Sequence, residues 1–265
     1  MGQLTGNTVG LLVLSLVLMV GCTPLAPSQP IATPACAGDG HTEREKVESP
    51  TLGWDIDVTY YLPPCYEQQT EVYYPVLYLL PGQGGSSASW GTGTEPLAKS
   101  IDRLIRQGDV PPLILVMPLA YSSDTHGAAL LNDLLPHTEA SFRTLPDRRY
   151  RAVGGASLGG VIAYRLALQH PDLFGSLGIF SSGVVSGDEG NVDAWIAAMP
   201  SKLWPRILID YGDADRPMGI NAQRTAEILD KWGIPYTLTV GEGGHNAAYW
   251  SANLASYLRW YAEGW

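Results

Sequence analysis

The chain is short of positive charge, of cysteine and of long apolar runs. Lys and Arg number 16 against 26 Asp and Glu, for a net charge of −10. A surface that acidic repels a phosphate backbone, so nucleic acid is not an expected partner. The 3 cysteines form no cluster with histidine at metal-ligand spacing. No carboxylate-rich loop supplies such spacing, and no loop stands out as a phosphate cradle. Neither a metal nor another cofactor is therefore expected. The apolar run Leu11 to Val20, interrupted by Ser15, is far short of the ~20 residues that span a bilayer. No internal repeat and no second folded domain is visible.

What the amino-terminal segment does contain points to export. Met1 to Gly21 carries no charged side chain, and its short apolar run has the length of a signal-peptide core. Met19-Val20-Gly21-Cys22 resembles a bacterial lipoprotein box, which makes Cys22 the expected lipidated residue. Acyl chains there would hold the protein to a membrane surface at about 0.8 kcal/mol per buried methylene. Thr23 to Ala35 is uncharged and rich in Pro, Ala, Ser and Thr, the composition of a tether. Cys36 and Cys65 remain, an even pair that reads as a disulfide in an exported domain. The expected division is a lipoprotein-type signal at 1–21, a Pro-rich tether at 22–35 and one folded domain at 36–265. The expected location is the bacterial cell envelope, with soluble secretion as the alternative.

The most informative stretch is Gly154-Gly155-Ala156-Ser157-Leu158-Gly159-Gly160. It contains G-x-S-x-G, and its setting is that of a nucleophile elbow. Residues before it read as a short buried strand, and Val161 to Gln169 reads as a helix. A serine on such a turn has its hydroxyl pushed clear of the backbone. The N-terminus of the following helix points N–H groups at the place where an oxyanion would form.

In an elbow of this type the acid and then the histidine follow the serine in sequence. Of the 5 histidines, His41, His126 and His137 precede Ser157. His170 sits at the end of the elbow helix, where it suits the helix C-terminus. His245 alone lies far downstream, in a glycine-rich loop after the strand-like run Tyr236 to Val240. The acid is expected in the loop after the buried run Arg206 to Tyr211. Asp210 lies within that run and is the weakest candidate. Asp213 and Asp215 both lie in the loop, and order and periodicity do not separate them.

The remaining pattern alternates strands and helices. Trp54 to Tyr60 alternates apolar and polar residues like an edge strand with one wet face. The runs at 76–80, 113–117, 151–154, 177–180, 207–211 and 236–240 are mostly apolar and read as inner strands covered on both faces. Helices are expected at 95–107, 128–142, 158–169, 221–232 and 247–261. This alternation argues a mostly parallel, doubly wound sheet with helices on both faces. Loops at 86–94 with Trp90, at 120–127 with Tyr121, and at 181–191 should border the pocket. Trp90, Tyr121 and Trp250 are the candidate pocket residues.

Several segments together resemble the putative-esterase family of α/β-hydrolases, over roughly Trp54 to Tyr261. Tyr60-Tyr61-Leu62-Pro63-Pro64-Cys65-Tyr66 resembles that family's strand ending in a Tyr-Leu-Pro-Pro-x-Tyr turn. Tyr74 to Gly85, with Pro75-Val76-Leu77-Tyr78-Leu79-Leu80-Pro81-Gly82, resembles its oxyanion strand and loop. Asn132 to His137, His170-Pro171-Asp172-Leu173-Phe174, and Gly244-His245 with Tyr249-Trp250 resemble three further segments. The family includes feruloyl and acetyl-xylan esterases, enterochelin-type esterases, S-formylglutathione hydrolase and mycolyltransferases. The resemblance implies a serine carboxylesterase acting on a small-molecule or carbohydrate-linked ester, with Ser157 as nucleophile and His245 as base. The family's acid follows a glycine as G-x-x-D, which matches Gly212 to Asp215 and selects Asp215. It also implies an oxyanion hole from the N–H groups of Gln83 and Leu158. Two positions depart from the pattern: Pro81 stands where the family usually has histidine, and Asn246-Ala247 follows the catalytic histidine. Acyl transfer on the same triad, or ligand binding without catalysis by an envelope lipoprotein, are the alternative readings.

Overall fold

The computed structural model describes residues 1–2, 38–91, 97–119 and 123–265. Every named element lies in the unit 33–265. The lipidation candidate Cys22, the disulfide candidate Cys36 and the pocket candidate Tyr121 lie outside the described residues.

Eight strands form one sheet: β1 (His41–Val47), β2 (Ile56–Leu62), β3 (Val76–Leu80), β4 (Ile114–Pro118), β5 (Arg151–Ala156), β6 (Ser176–Phe180), β7 (Arg206–Gly212) and β8 (Thr237–Gly241). Their spatial order is β1-β2-β4-β3-β5-β6-β7-β8. β1 and β2 pair antiparallel, as do β2 and β4, and all other neighbours are parallel. Every residue of β3, β4, β5 and β6 is buried. That explains their continuous apolar or small-residue composition, since a strand covered on both faces has no wet side to alternate with.

The helices are α1 (Leu97–Gln107), α2 (Ser123–Ala129), α3 (Leu135–Ser141), α4 (Leu158–Gln169), α5 (Glu189–Ala198), α6 (Arg216–Trp232) and α7 (Ala247–Ala262). A five-residue π-turn, Leu130–Leu134, joins α2 to α3. Pro136 in the first turn of α3 lacks the N–H that would close a regular turn onto residue 132, so the helix widens there. Residues of α2 to α6 pack on one sheet face with Val58, Val76, Tyr78, Val153 and Ile209. α1 and α7 pack on the other with Leu77, Leu79, Leu115, Ala156 and Phe180. Both helix ends of α6 follow from sequence: Pro217 stands in its first turn and Gly233 closes it in the left-handed conformation at φ 66°.

The fold agrees with the expected α/β-hydrolase architecture, with three corrections at its margins. Residues 41–47, where no strand was expected, form the edge strand β1, so β2 lies one place in from the edge. β1 has six exposed residues and one buried. Its alternating charges suit an outermost strand, where they discourage pairing with another chain. β8, expected to be an inner strand, is the opposite edge, with Leu238 and Val240 exposed. Part of the loop expected at 181–191 begins a helix, α5, that buries only Val192 and Ile196. So narrow an apolar stripe leaves little helical periodicity to read.

Asp102 on α1 ties the start of the domain to the sheet. It is 1% exposed and accepts hydrogen bonds from the Tyr61 hydroxyl at 2.7 Å and the Gly40 N–H at 3.0 Å. Asp102→Asn is expected to cost about 1–3 kcal/mol of stability. Urea unfolding followed by tryptophan fluorescence measures it, and an unchanged midpoint would contradict the role.

Candidate active site

Ser157 sits between β5 and α4 with φ 54° and ψ −119°, a backbone conformation that a non-glycine residue adopts only when its surroundings impose it. Here the neighbours impose it. Ser157 N–H donates to the Phe180 carbonyl at 2.9 Å. The Ser157 carbonyl accepts from Gly160 N–H at 3.0 Å and from the Ser182 hydroxyl at 2.7 Å. A Cβ on Gly159 would lie 2.3 Å from the Leu80 carbonyl oxygen, and one on Gly155 would lie 2.6 Å from the same atom. The two glycines let the elbow press against the end of β3, and that contact is what the G-x-S-x-G spacing encodes.

The same contact brings the oxyanion loop to the nucleophile. A Cβ on Gly82 would lie 3.5 Å from the Ser157 Cβ and 3.6 Å from the Trp250 ring. The N–H groups of Gln83 and Leu158 have no acceptor among the described residues. They are the donors expected to meet an oxyanion. Pro81 lies outside that pair of donors, so its missing N–H removes neither of them.

His245 closes the constellation. Ser157 Oγ lies 2.9 Å from His245 Nε2, and His245 Nδ1 lies 2.7 Å from Asp215 Oδ2. In the tautomer that the carboxylate selects, Nδ1–H donates to Asp215 and Nε2 accepts the serine proton. Asp215 is buried at 4% exposure, whereas the His245 side chain is 38% exposed and reachable from solvent.

Asp213 has a different task. Its Oδ1 accepts the Gly243 N–H at 3.0 Å, its own N–H donates to the Gly241 carbonyl at 2.8 Å, and Ala214 N–H donates to the Gly243 carbonyl at 2.9 Å. These bonds lace the acid loop to the histidine loop. Directly after the histidine, Asn246 caps α7 by accepting the Tyr249 N–H at 3.0 Å. That accounts for Asn246, which departs from the family pattern.

The pocket candidates divide. Trp250 is 7% exposed and meets the His245 ring edge-on at 5.3 Å between centroids, so it forms the wall behind the imidazole. Trp90, expected to border the pocket, is 1% exposed and packs on Phe180 at 6.2 Å and Trp250 at 6.5 Å. It is a core residue, because the helical turn Ser87–Trp90 sets it among the side chains of the sheet face that α1 and α7 cover. Sequence inspection found no metal-ligand spacing, yet folding brings ligand atoms of His41, Glu43 and Glu67 within 4.8 Å of one another on the exposed surface. Glu67 reaches that group through the turn after β2, which linear spacing does not reveal, and the chemistry of the triad makes no use of it.

An α/β-hydrolase sheet carrying a hydrogen-bonded Ser157–His245–Asp215 triad defines a serine hydrolase site. The family model described as "Putative esterase" matches residues 49–261, and the chain belongs to that family. An endo-1,4-β-xylanase/feruloyl esterase of Xylanibacter ruminicola is 30% identical over 191 residues, covering 67% of this chain and 25% of that protein. The chain thus spans about a quarter of that relative's length. A solved ferulic acid esterase superposes with a TM-score of 0.75 at 22% identity, covering 86% of this chain and 99% of the other. An S-formylglutathione hydrolase from Staphylococcus aureus gives 0.69 at 18% identity, covering 87% and 99%.

Asp215→Asn is expected to lower kcat by about 10,000-fold by leaving His245 in the wrong tautomer. Asp213→Asn, which keeps an oxygen acceptor for Gly243 N–H, should stay within about threefold of wild type. Steady-state kinetics on a chromogenic ester decides, and the reverse ranking would transfer the acid role to Asp213. Gly159→Ala is expected to lose about 1–3 kcal/mol of stability by overpacking, read from urea unfolding.

Proposed function

We propose that the protein is a serine carboxylesterase that works through an acyl-enzyme on Ser157. The observation that carries this reading is the continuous chain of contacts from Asp215 through His245 to Ser157, with two backbone N–H groups beside it.

His245 Nε2 takes the Ser157 proton as Oγ attacks the ester carbonyl. The new C–O bond moves the carbonyl electron pair onto oxygen, where the Gln83 and Leu158 N–H groups stabilise it. A single such donor is worth about 2.7–4 kcal/mol in the transition state of other acyl-transfer enzymes. The tetrahedral intermediate collapses, the bond to the alcohol breaks, and His245 returns the proton to the departing oxygen. Water then gives a proton to His245 as its oxygen attacks the acyl-enzyme carbonyl; the bond to Oγ breaks, His245 returns the proton to Oγ, and the acid leaves with Ser157 restored.

Sugar-linked esters of aromatic acids are the first substrates to try, because the matched relative from Xylanibacter ruminicola is named a feruloyl esterase. Ser157→Ala is expected to abolish hydrolysis of a short-chain chromogenic ester and labelling by a fluorophosphonate probe, while circular dichroism stays that of wild type. Turnover retained by that variant would overturn the assignment.

The cellular setting belongs to the same proposal. Lipidation of Cys22 after signal cleavage would place the esterase at a membrane surface, with residues 22–35 as its tether. A palmitate analogue should label the wild type and not Cys22→Ala; soluble secretion without label would dismiss the anchor. A bridge between Cys36 and Cys65 is part of the same proposal, and it would staple the start of the domain to the end of β2. Alkylation of both thiols without reductant would contradict it.

A further inference from the structure

We infer that Asp210 is a positioning residue, holding in register the three backbone segments that carry Ser157, Asp215 and His245. The inference rests on the serine-hydrolase reading above. Asp210 lies on β7 and is 4% exposed. It is not the triad acid, since the carboxylate on His245 is that of Asp215. Its own carboxylate accepts three hydroxyl groups instead. Thr239 Oγ1 donates to Oδ1 at 2.6 Å, and the Tyr249 and Tyr257 hydroxyls donate to Oδ2 at 2.9 and 2.5 Å.

The two tyrosine bonds lead to different parts of the site. Tyr249 stands on the first turn of α7, where its N–H donates to Asn246 Oδ1. Its ring lies against the histidine loop, so close that a Cβ on Gly243 would be 2.5 Å from Tyr249 Cδ2. Tyr257, two turns further along α7, stacks on Phe180 at 3.8 Å with an interplanar angle of 8°. The Phe180 carbonyl is the acceptor for the Ser157 N–H. The backbone of Asp210 supplies the third connection: its carbonyl accepts the Ser181 N–H at 2.6 Å, and its strand runs on to Gly212, whose carbonyl accepts the Asp215 N–H at 2.8 Å.

A buried carboxylate is costly to desolvate. Hydrogen bonds to an ionised acceptor are about twice as strong as neutral ones and shorter, so the charge makes the junction stiff. Burial, followed by the Asp210 charge, pushes the phenols of Tyr249 and Tyr257 above the ordinary tyrosine range. Both therefore remain donors at any pH the enzyme meets. The geometry of a triad tolerates little error, and a displacement near 1 Å can cost about 100-fold in rate.

The test compares Asp210→Asn with Asp102→Asn, a second buried carboxylate that accepts a tyrosine hydroxyl but lies outside the site. Active sites are counted with a fluorophosphonate, and kinetics are read on a chromogenic short-chain ester. Asp210→Asn is expected to lower kcat per titrated site by about 10- to 100-fold with KM within about twofold. Asp102→Asn should lower the melting temperature and leave kcat per site unchanged. Adding Tyr249→Phe to Asp210→Asn should cost little more than Asp210→Asn alone, because the two remove one interaction. If Asp210→Asn does not fold, Tyr249→Phe and Tyr257→Phe decide by the same split. The proposal is overturned if Asp210→Asn, or both tyrosine variants, lose stability while kcat per site stays at wild type. Failure of the underlying reading has a different signature, a wild type that neither reacts with the fluorophosphonate nor loses turnover in Ser157→Ala.

Discussion

The contact between the elbow turn and the end of β3 is the constraint on which the rest of the structure depends. Two glycines remove the side chains that would collide with the Leu80 carbonyl, and Ser157 is held at a positive φ as a result. Without that approach the loop at Gly82 could not lie against Ser157. Strain at one residue is offset by ordinary hydrogen bonds on its N–H and carbonyl. The burial of β3, β5 and β6 around it gives the turn no room to relax.

The other two triad members are brought in by loops that bond to each other before they bond to the serine. The backbone of Asp213 and Ala214 pairs with Gly241 and Gly243, so the acid and the histidine arrive as one unit. The cap at Asn246 and the Trp250 wall then fix the imidazole from behind. Rigid strands set the coarse positions, and short loop contacts set the final geometry. The Asp210 junction fits this division, because it joins β7, β8 and α7 beneath the point where those loops meet.

Membership of an esterase family and the triad geometry agree on the type of chemistry. Substrate choice rests on other features. Trp250 and the partly exposed His245 define one wall. The solved relatives share the fold at or below 22% identity, a level at which the sheet is retained while loops diverge.

The sequence by itself marked the strands β3 to β7, the elbow, and Ser157 and His245 as the candidate reacting groups. Continuous burial forces continuous apolarity, and a strained turn forces glycine at set spacings. Such local requirements leave local marks. It placed the acid in the right loop, and family resemblance pointed to Asp215, but the distinction from Asp213 became visible only when the histidine loop lay beside them. The tertiary structure alone decided that residues 41–47 and β8 form the two edges, that Trp90 belongs to the core, and that Asp210 gathers hydroxyls from β8 and α7. Edges, partners and buried polar junctions depend on which distant segments meet. Their residues bear no periodic signature, because the contact that defines each of them lies tens of residues away along the chain.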